Sequence, residues 1–116
     1  MTCNPTVDMC ITQGDNKDYS LTITSGGAPQ DLTGSTLFFT VKRNLSDTDA
    51  KAVIHKVITT FDDAPNGKAT ISLSNTDTDI PLARYFYDIQ LTLPGNFVRT
   101  VVKGSFDVSY QVTETV

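Results

Sequence analysis

Apolar and polar residues alternate one by one in five separate stretches of this 116-residue chain, and this alternation restricts its possible folds more than any other feature. The stretches begin near Met9, Tyr19, Leu37, Ala69 and Tyr85. Successive side chains of an extended strand point to opposite faces of a sheet. A period of two therefore predicts a strand with one buried and one solvated face in each stretch.

The composition supports an all-β fold. The chain contains 18 Thr and 10 Val, which suit a pleated sheet, and its 13 acidic residues comprise 12 Asp and a single Glu. Turn-forming residues separate the strands at 14–16, 25–29, 65–67 and 94–96. We predict an immunoglobulin-like antiparallel β-sandwich of about seven strands. It forms one domain over 1–116, with an N-terminal extension at 1–6 and a C-terminal tail at 114–116.

The segment 52–60 is ambiguous from its pattern. Either Val53 and Val57 or Ile54 and Ile58 face the interior of a strand, and the spacing also admits a helical turn. We interpret the segment as a strand at the edge of a sheet.

The segment 74–82 is rich in side chains that bond their own backbone, and it predicts a turn or one helical turn capped by Ser74 or Asn75. Tyr85 follows at the start of a long strand. Immunoglobulin-like sandwiches use a tyrosine in this place to hydrogen-bond the backbone upstream. A simple cross-strand aromatic pair is the alternative interpretation.

The last run keeps its apolar residues on even positions from Val98 to Val112 without a slip. Fifteen extended residues span about 50 Å, which is longer than a small sandwich needs. Gly104 lies within the run and has no side chain to pack. We therefore expect the strand to bend at Gly104 and to cross from one sheet to the other.

Charge and the length of apolar stretches argue against two classes of partner, nucleic acid and membrane. The formal net charge is −4, and the six Lys and three Arg are scattered apart from Lys42 and Arg43, so nucleic acid is not expected as a partner. No apolar stretch approaches the length of about 20 residues that crosses a bilayer, so no membrane is expected either. The N-terminus lacks the pattern of a secretory signal, which predicts synthesis in the cytoplasm.

No residue cluster carries recognisable catalytic chemistry. Cys3 and Cys10 are expected as reduced thiols, with Cys10 in the first strand, although a turn at 4–5 would permit a bridge. His55 is the one histidine and is expected to be exposed; a Cys10–His55 nucleophilic pair lacks any supporting motif. We predict no enzyme activity, no cofactor and no metal.

Aspartates are concentrated in the predicted loops, and loop carboxylates at one end of a sandwich are able to bind calcium. The favoured interpretation is that they initiate turns. The residues in question are Asp15, Asp18, Asp47, Asp49, Asp62, Asp63, Asp77 and Asp79.

Four apolar residues fall on faces assigned to solvent: Phe38, Phe86, Phe97 and Val101. They either lie under loops or form contact patches for neighbouring protein copies. Long Thr-rich strand edges also favour strand addition by another chain. These four residues are the candidate protein interface.

Four segments in order resemble one family. They are 31–42 (DLTGSTLFFTVK), 67–74 (GKATISLS), 85–91 (YFYDIQL) and 99–108 (RTVVKGSFDV). The pattern resembles the immunoglobulin-like N-terminal domain of phage baseplate upper proteins and similar prophage virion proteins, over about Ile11 to Thr113. In that family a linker and a receptor-binding scaffold usually follow, whereas this chain stops at Val116, so it is either a free-standing protein or an excised domain.

The resemblance implies a non-enzymatic virion protein of the tail or baseplate, assembled as a homo-oligomer and docked to other virion proteins. A capsid-associated or head–tail location is one alternative. The other alternative is a carbohydrate- or calcium-binding β-sandwich, which the absence of Trp disfavours for carbohydrate.

Overall fold

The computed structural model describes residues 8–44, 46–47 and 51–109, and these residues form nine strands. Seven of the nine have four or more residues, in agreement with the predicted number. A 3₁₀ turn at Ala64–Asn66 precedes β7. The strands are β1 (Met9–Thr12), β2 (Lys17–Thr22), β3 (Thr24–Ser25), β4 (Ala28–Pro29), β5 (Thr36–Lys42), β6 (Ile54–Ile58), β7 (Lys68–Leu73), β8 (Ala83–Leu93) and β9 (Phe97–Ser109).

Two sheets pack face to face. The larger has the strand order β1-β9-β8-β5-β6, and the smaller pairs β2 with β7. A short ribbon of β3 and β4 completes the described strands. All pairs are antiparallel except β1 with β9, which run parallel. The predicted antiparallel arrangement holds for the other pairs, whereas β1 and β9 are far apart in sequence and no hairpin turn requires them to run antiparallel.

The topology is immunoglobulin-like, as predicted. β2 and β5, which the short β3–β4 ribbon separates in sequence, lie in different sheets, and β8 lies between β5 and β9 in the larger sheet. Tyr85 is the third residue of β8, and its hydroxyl donates a 2.6 Å hydrogen bond to the carbonyl of Pro81, which confirms the predicted bond to upstream backbone. Antibody domains have a disulfide between their two sheets and a buried Trp beside it. This chain has no Trp, and neither β2 nor β8 contains a cysteine, because the two cysteines are at positions 3 and 10.

Aromatic rings fill the centre of the core instead. Phe39 on β5 is fully buried, and its ring lies 5.8 Å from that of Tyr87 and 6.2 Å from that of Phe106. The alternating residues Leu37, Phe39 and Val41 all face this core, as their spacing predicts. One cluster of buried apolar residues joins both sheets, so the described strands share a single core.

β9 departs from the prediction. It stays in the larger sheet over its whole length, paired with β8, and Gly104 remains opposite Tyr87 without a register shift. The irregularity lies elsewhere: Ile89 pairs with Val102 and Gln90 with Thr100, so Val101 is an extra residue that forms a β-bulge. The predicted crossing between sheets is therefore wrong, because β9 pairs with β8 over its whole length, and the irregularity in this pairing lies at Val101 and not at Gly104.

The ambiguous segment forms β6, an edge strand as predicted. Ile54 is buried and Ile58 packs on the core, whereas Val57 is exposed. Lys56 shares the inward side with these isoleucines, opposite Phe39, and its Nζ reaches Asp77 at 2.7 Å. An inward-directed charge on an edge strand discourages pairing with a further strand.

The segment 74–80 forms a turn, with the predicted role for Ser74. The Ser74 hydroxyl accepts a hydrogen bond from the Asp77 amide, and the Asp77 carboxylate accepts one from the Ser74 amide. This turn also binds the β1–β2 turn, because the Asn75 amide donates to the Asn16 side chain and Gln13 Nε2 donates to the carbonyl of Ile80. The two turns thereby close one end of the sandwich.

Candidate functional site

The outer face of the larger sheet carries a concavity of about 690 Å³. We call it the outer trough. Most of the lining residues come from the outward side of β5, β6, β8 and β9, while Asp8 precedes β1 and Tyr87 belongs to the core. The lining residues are Asp8, Phe38, Thr40, Lys42, His55, Phe86, Tyr87, Asp88, Gln90, Lys103, Gly104 and Ser105.

Strand register sets the order of these side chains. Thr40 on β5 lies between His55 on β6 and Asp88 on β8, and Lys103 on β9 follows Asp88. Phe38 lies opposite Gln90 on one side of this row. Phe86 lies opposite Lys42 on the other side. A polar row across four strands is thus flanked by a phenyl ring at each end of the trough.

His55 has a defined orientation in the trough. Its Nδ1 lies 3.0 Å from Thr40 Oγ1, and its ring stacks on Phe38 with 6.2 Å between centroids and 27° between planes. His55 is exposed, as predicted. Two contacts therefore fix an accessible imidazole on the trough surface.

The opposite border of the trough is also ordered. Asp8 accepts a hydrogen bond from the Ser105 amide at 3.3 Å. Burial raises the pKa of the neighbouring Tyr87 to about 12, and the Asp8 carboxylate acts in the same direction. Tyr87 therefore stays a neutral phenol at physiological pH.

A second apolar feature lies at the end of the β8–β9 hairpin. Phe97 is 63% exposed and Val98 is 55% exposed, next to Pro94 in the turn. Gly95 and Asn96 both have positive φ, as a tight hairpin requires. We call Pro94, Phe97 and Val98 the hairpin patch.

The four candidate interface residues thus do not form one patch. Phe38 and Phe86 line the outer trough, and Phe97 belongs to the hairpin patch. Val101 is half-buried against the core, so its assignment to the solvent face is wrong. The bulge reverses the alternation that placed it there.

Cys10 and His55 do not meet. Cys10 is a free, exposed thiol on β1, and His55 lies on β6 at the opposite edge of the same sheet. Four inter-strand spacings of about 4.8 Å separate these strands by about 19 Å. A nucleophilic pair of these two residues is incompatible with this geometry. Cys3 lies outside the described residues.

Several loop aspartates hold turns, as the favoured interpretation predicts. The carboxylate of Asp47 accepts from the Asn44 amide, that of Asp77 from the Ser74 amide, and that of Asp63 from the Asn66 side chain. Within 8–44, 46–47 and 51–109, no group of three or more His, Cys, Asp or Glu is arranged to hold a metal ion. Asp49 lies outside the described residues.

The outer face of the smaller sheet has a different character. Its paired residues are Asp18 with Ser72, Ser20 with Thr70, and Thr22 with Lys68, all short or charged. Compared with this face, the outer face of the larger sheet and the hairpin carry the phenyl groups Phe38, Phe86 and Phe97. Among the residues described, no helix has the length and apolar character to cross a membrane.

No protein-family model matches the chain, and no curated protein matches it either. Among solved structures, the PmoD soluble domain from Methylocystis sp. has a TM-score of 0.53 and 13% identity, over 88% of this chain and 77% of that one. At this identity the similarity shows the fold alone.

Two structures of voltage-gated sodium channel β subunits are also similar. One, from a photo-crosslinking study of multimeric cell-adhesive interactions, has a TM-score of 0.45 and 12% identity over 97% of this chain and 98% of that one. The other, a parallel homodimer of the β4 extracellular domain, has a TM-score of 0.42 and 16% identity over 100% and 94%. Both scores are too low to support an argument about function.

Sequence reasoning missed the trough as a unit. Phe38 and Phe86 were identified from alternation, but His55, Gln90 and Lys103 were not connected with them. The available signal was their position on outward sites of three different strands. Only the strand order brings those sites together.

Proposed function

We propose that this chain is a non-enzymatic structural module of a phage or prophage virion, in the tail or baseplate. It assembles with copies of itself and docks to neighbouring virion proteins. Synthesis takes place in the bacterial cytoplasm, and the mature location is the particle. The proposal requires neither nucleic acid nor membrane as a partner.

The four segments that resemble baseplate upper proteins support this proposal by their positions. The segment 31–42 contains β5, 67–74 contains β7, 85–91 lies in β8 and 99–108 lies in β9. Three of these strands are adjacent in the larger sheet. Three of the four segments therefore form a contiguous part of the larger sheet, and the fourth lies in the smaller sheet.

The observation that carries the proposal is the hairpin patch. Phe97 and Val98 are consecutive residues of β9, and both expose more than half of their surface, one on each face of the hairpin end. Large apolar groups exposed at the end of a hairpin are typical of a contact surface. Stable interfaces bury about 800 Å² per partner, so this patch supplies part of an interface, and repetition in a symmetric particle adds to it.

Size-exclusion chromatography with light scattering tests self-association. We expect the wild-type chain to form oligomers and the double variant F97S/V98T to be monomeric, because the variant removes the apolar surface without affecting the core. F86S is the matched control, since Phe86 is exposed but lies outside the hairpin patch. F86S is expected to keep the wild-type mass.

Mass spectrometry of purified particles tests the virion location. We expect the chain at constant stoichiometry in particles induced from its host. A strictly monomeric wild-type chain that is absent from such particles would contradict the proposal.

A further inference from the structure

The outer trough has the size of a small-molecule site. Its volume of about 690 Å³ lies within the range of about 300–1,000 Å³ that is common for such sites. The hairpin patch contributes no residue to it. A ligand in the trough would therefore leave the proposed assembly surface free.

Two phenyl rings mark the ends of the trough. Phe86 and Gln90 lie four residues apart on β8, and Phe38 lies opposite Gln90 on β5. At about 3.3 Å per residue, the two rings start from backbone positions about 13 Å apart along the strands. This distance suits a short chain of linked units better than one small molecule.

Hydrogen-bonding groups lie beside and between the rings, with Gln90 next to Phe38 and with His55 and Lys103 in the row between the rings. The Gln90 amide both donates and accepts, Lys103 donates, and His55 is held by Thr40 and Phe38. These groups lie on the floor and sides of one concavity. A ligand with hydroxyl groups around its rim matches this arrangement.

The charges of the lining balance. Two aspartates, Asp8 and Asp88, face the trough together with two lysines, Lys42 and Lys103. A site for a phosphate or another anion needs an excess of positive charge, and a cation site needs the reverse. Balanced charge favours an uncharged, polar ligand.

We propose that the outer trough binds a neutral oligosaccharide. A pyranose ring has apolar C–H faces and a rim of hydroxyl groups. The C–H faces of the terminal units pack on Phe38 and Phe86. The hydroxyl groups between them hydrogen-bond with His55 on one side and Lys103 on the other, and those of the unit on Phe38 hydrogen-bond with Gln90.

A protein partner fits the same surface less well. The buried centre of a protein interface is depleted in charged residues, whereas the centre of this trough contains Asp88 and Lys103. Covering these charges with a dry contact carries a desolvation cost. A second copy that presents its own trough in a two-fold contact also leaves the concavity unfilled.

NMR titration of the full-length ¹⁵N-labelled chain tests the proposal. The probes are the neutral trisaccharides maltotriose, cellotriose and chitotriose, with sialyllactose as an acidic comparison. We expect saturable shifts with at least one neutral trisaccharide, confined to amides of the trough such as those of Phe38, Gln90 and Lys103. Sialyllactose is expected to bind more weakly.

F86A is the test variant and F97A is its matched control, because both remove an exposed phenyl group and only Phe86 lines the trough. We expect F86A to weaken the affinity about fivefold or more and F97A to change it less than twofold. The amide spectrum of each variant reports whether the fold is retained, and Q90A provides a second test if F86A is not folded.

Several outcomes would overturn the proposal. These are no saturable shift with any of the three neutral probes, tighter binding of sialyllactose, or equal affinity in F86A and F97A. Trough shifts that depend only on protein concentration would identify a second copy as the occupant instead. None of these outcomes bears on the presence of the chain in virions, which is tested separately.

Discussion

The hydroxyl of Thr78 donates a 2.7 Å hydrogen bond to the backbone carbonyl of Asp15, 63 positions earlier in the chain. Thr78 is completely buried and also lies 3.4 Å from the carbonyl of Asn75. One side chain thus joins the β1–β2 turn to the turn after β7. It is one of the few buried polar groups of the described structure, and its partners are both backbone carbonyls.

Replacing Thr78 with valine is expected to destabilise the protein by about 0.5–1.5 kcal/mol, because the shape is kept while the Asp15 carbonyl loses its donor. The urea midpoint should fall with an unchanged m-value. T76V, in the exposed part of the same turn, should stay within about 0.5 kcal/mol of the wild type. Equal midpoints for T78V and T76V would show that the bond contributes nothing.

Removing the hydroxyl of Tyr85 and removing that of Tyr19 should have different effects on the free energy of unfolding. The Tyr85 hydroxyl bonds the Pro81 carbonyl, whereas the Tyr19 hydroxyl is buried with no hydrogen-bond partner among the described residues. Y85F should therefore cost about 1–2 kcal/mol, while Y19F should be neutral or slightly stabilising. Thermal unfolding of both variants measures the difference. A larger loss for Y19F than for Y85F would contradict this assignment.

Gly67 is expected to be intolerant of any side chain. Its φ is +72°, and a Cβ there would lie 2.3 Å from the carbonyl oxygen of Ile23 and 2.9 Å from that of Gln30. G67A should cost several kcal/mol, because backbone atoms on both sides have to move. Gly26 has a similar φ of +62° but open space around it, so G26A should cost only about 1 kcal/mol. Chemical denaturation of the two variants separates the clash from the conformational strain.

The ion pair between Lys56 and Asp77 predicts sensitivity to acid. Burial opposes ionisation of Asp77, but hydrogen bonds from Lys56 and Ser74 outweigh it and lower the pKa of the carboxyl below 3.8. The ion pair therefore stabilises the folded protein above about pH 4, and this stabilisation is lost as the pH falls through the folded-state pKa of Asp77. Both side chains are partly exposed, which limits the effect to about 1 kcal/mol.

D77N measures this contribution. The loss of stability between pH 6 and pH 3 should be smaller in D77N than in the wild type, since the variant has no proton to bind at this position. D79N serves as the control, because Asp79 is exposed in the same loop. Identical pH dependence in the wild type and D77N would count against the ion pair.

Strand positions were predictable where side-chain alternation decides them. Leu37, Phe39 and Val41 face the core because burial of apolar side chains on one face is a local property of an extended chain. The same local chemistry explains the success at Tyr85 and in the turn capped by Ser74. These features are determined mainly by residues that are close together in sequence.

The failures involve pairing partners. Whether Val101 bulges depends on how β9 matches β8, and no property of 97–109 alone reveals it. The direction of β1 depends on a strand at the other end of the chain. The trough likewise exists only because β5, β6, β8 and β9 become neighbours, which alternation within each strand does not specify.

The parallel contact between β1 and β9 also has a consequence for how the protein is made. Asp8 and Ser105, joined by a hydrogen bond beside this contact, are 97 positions apart. Forming such a contact closes a loop of 97 positions, and pairings of this kind slow folding. During translation β1 leaves the ribosome before β2 to β9, yet its place beside β9 exists only after those strands have been synthesised. Of the strands described, the first to be made is thus among the last to find its position.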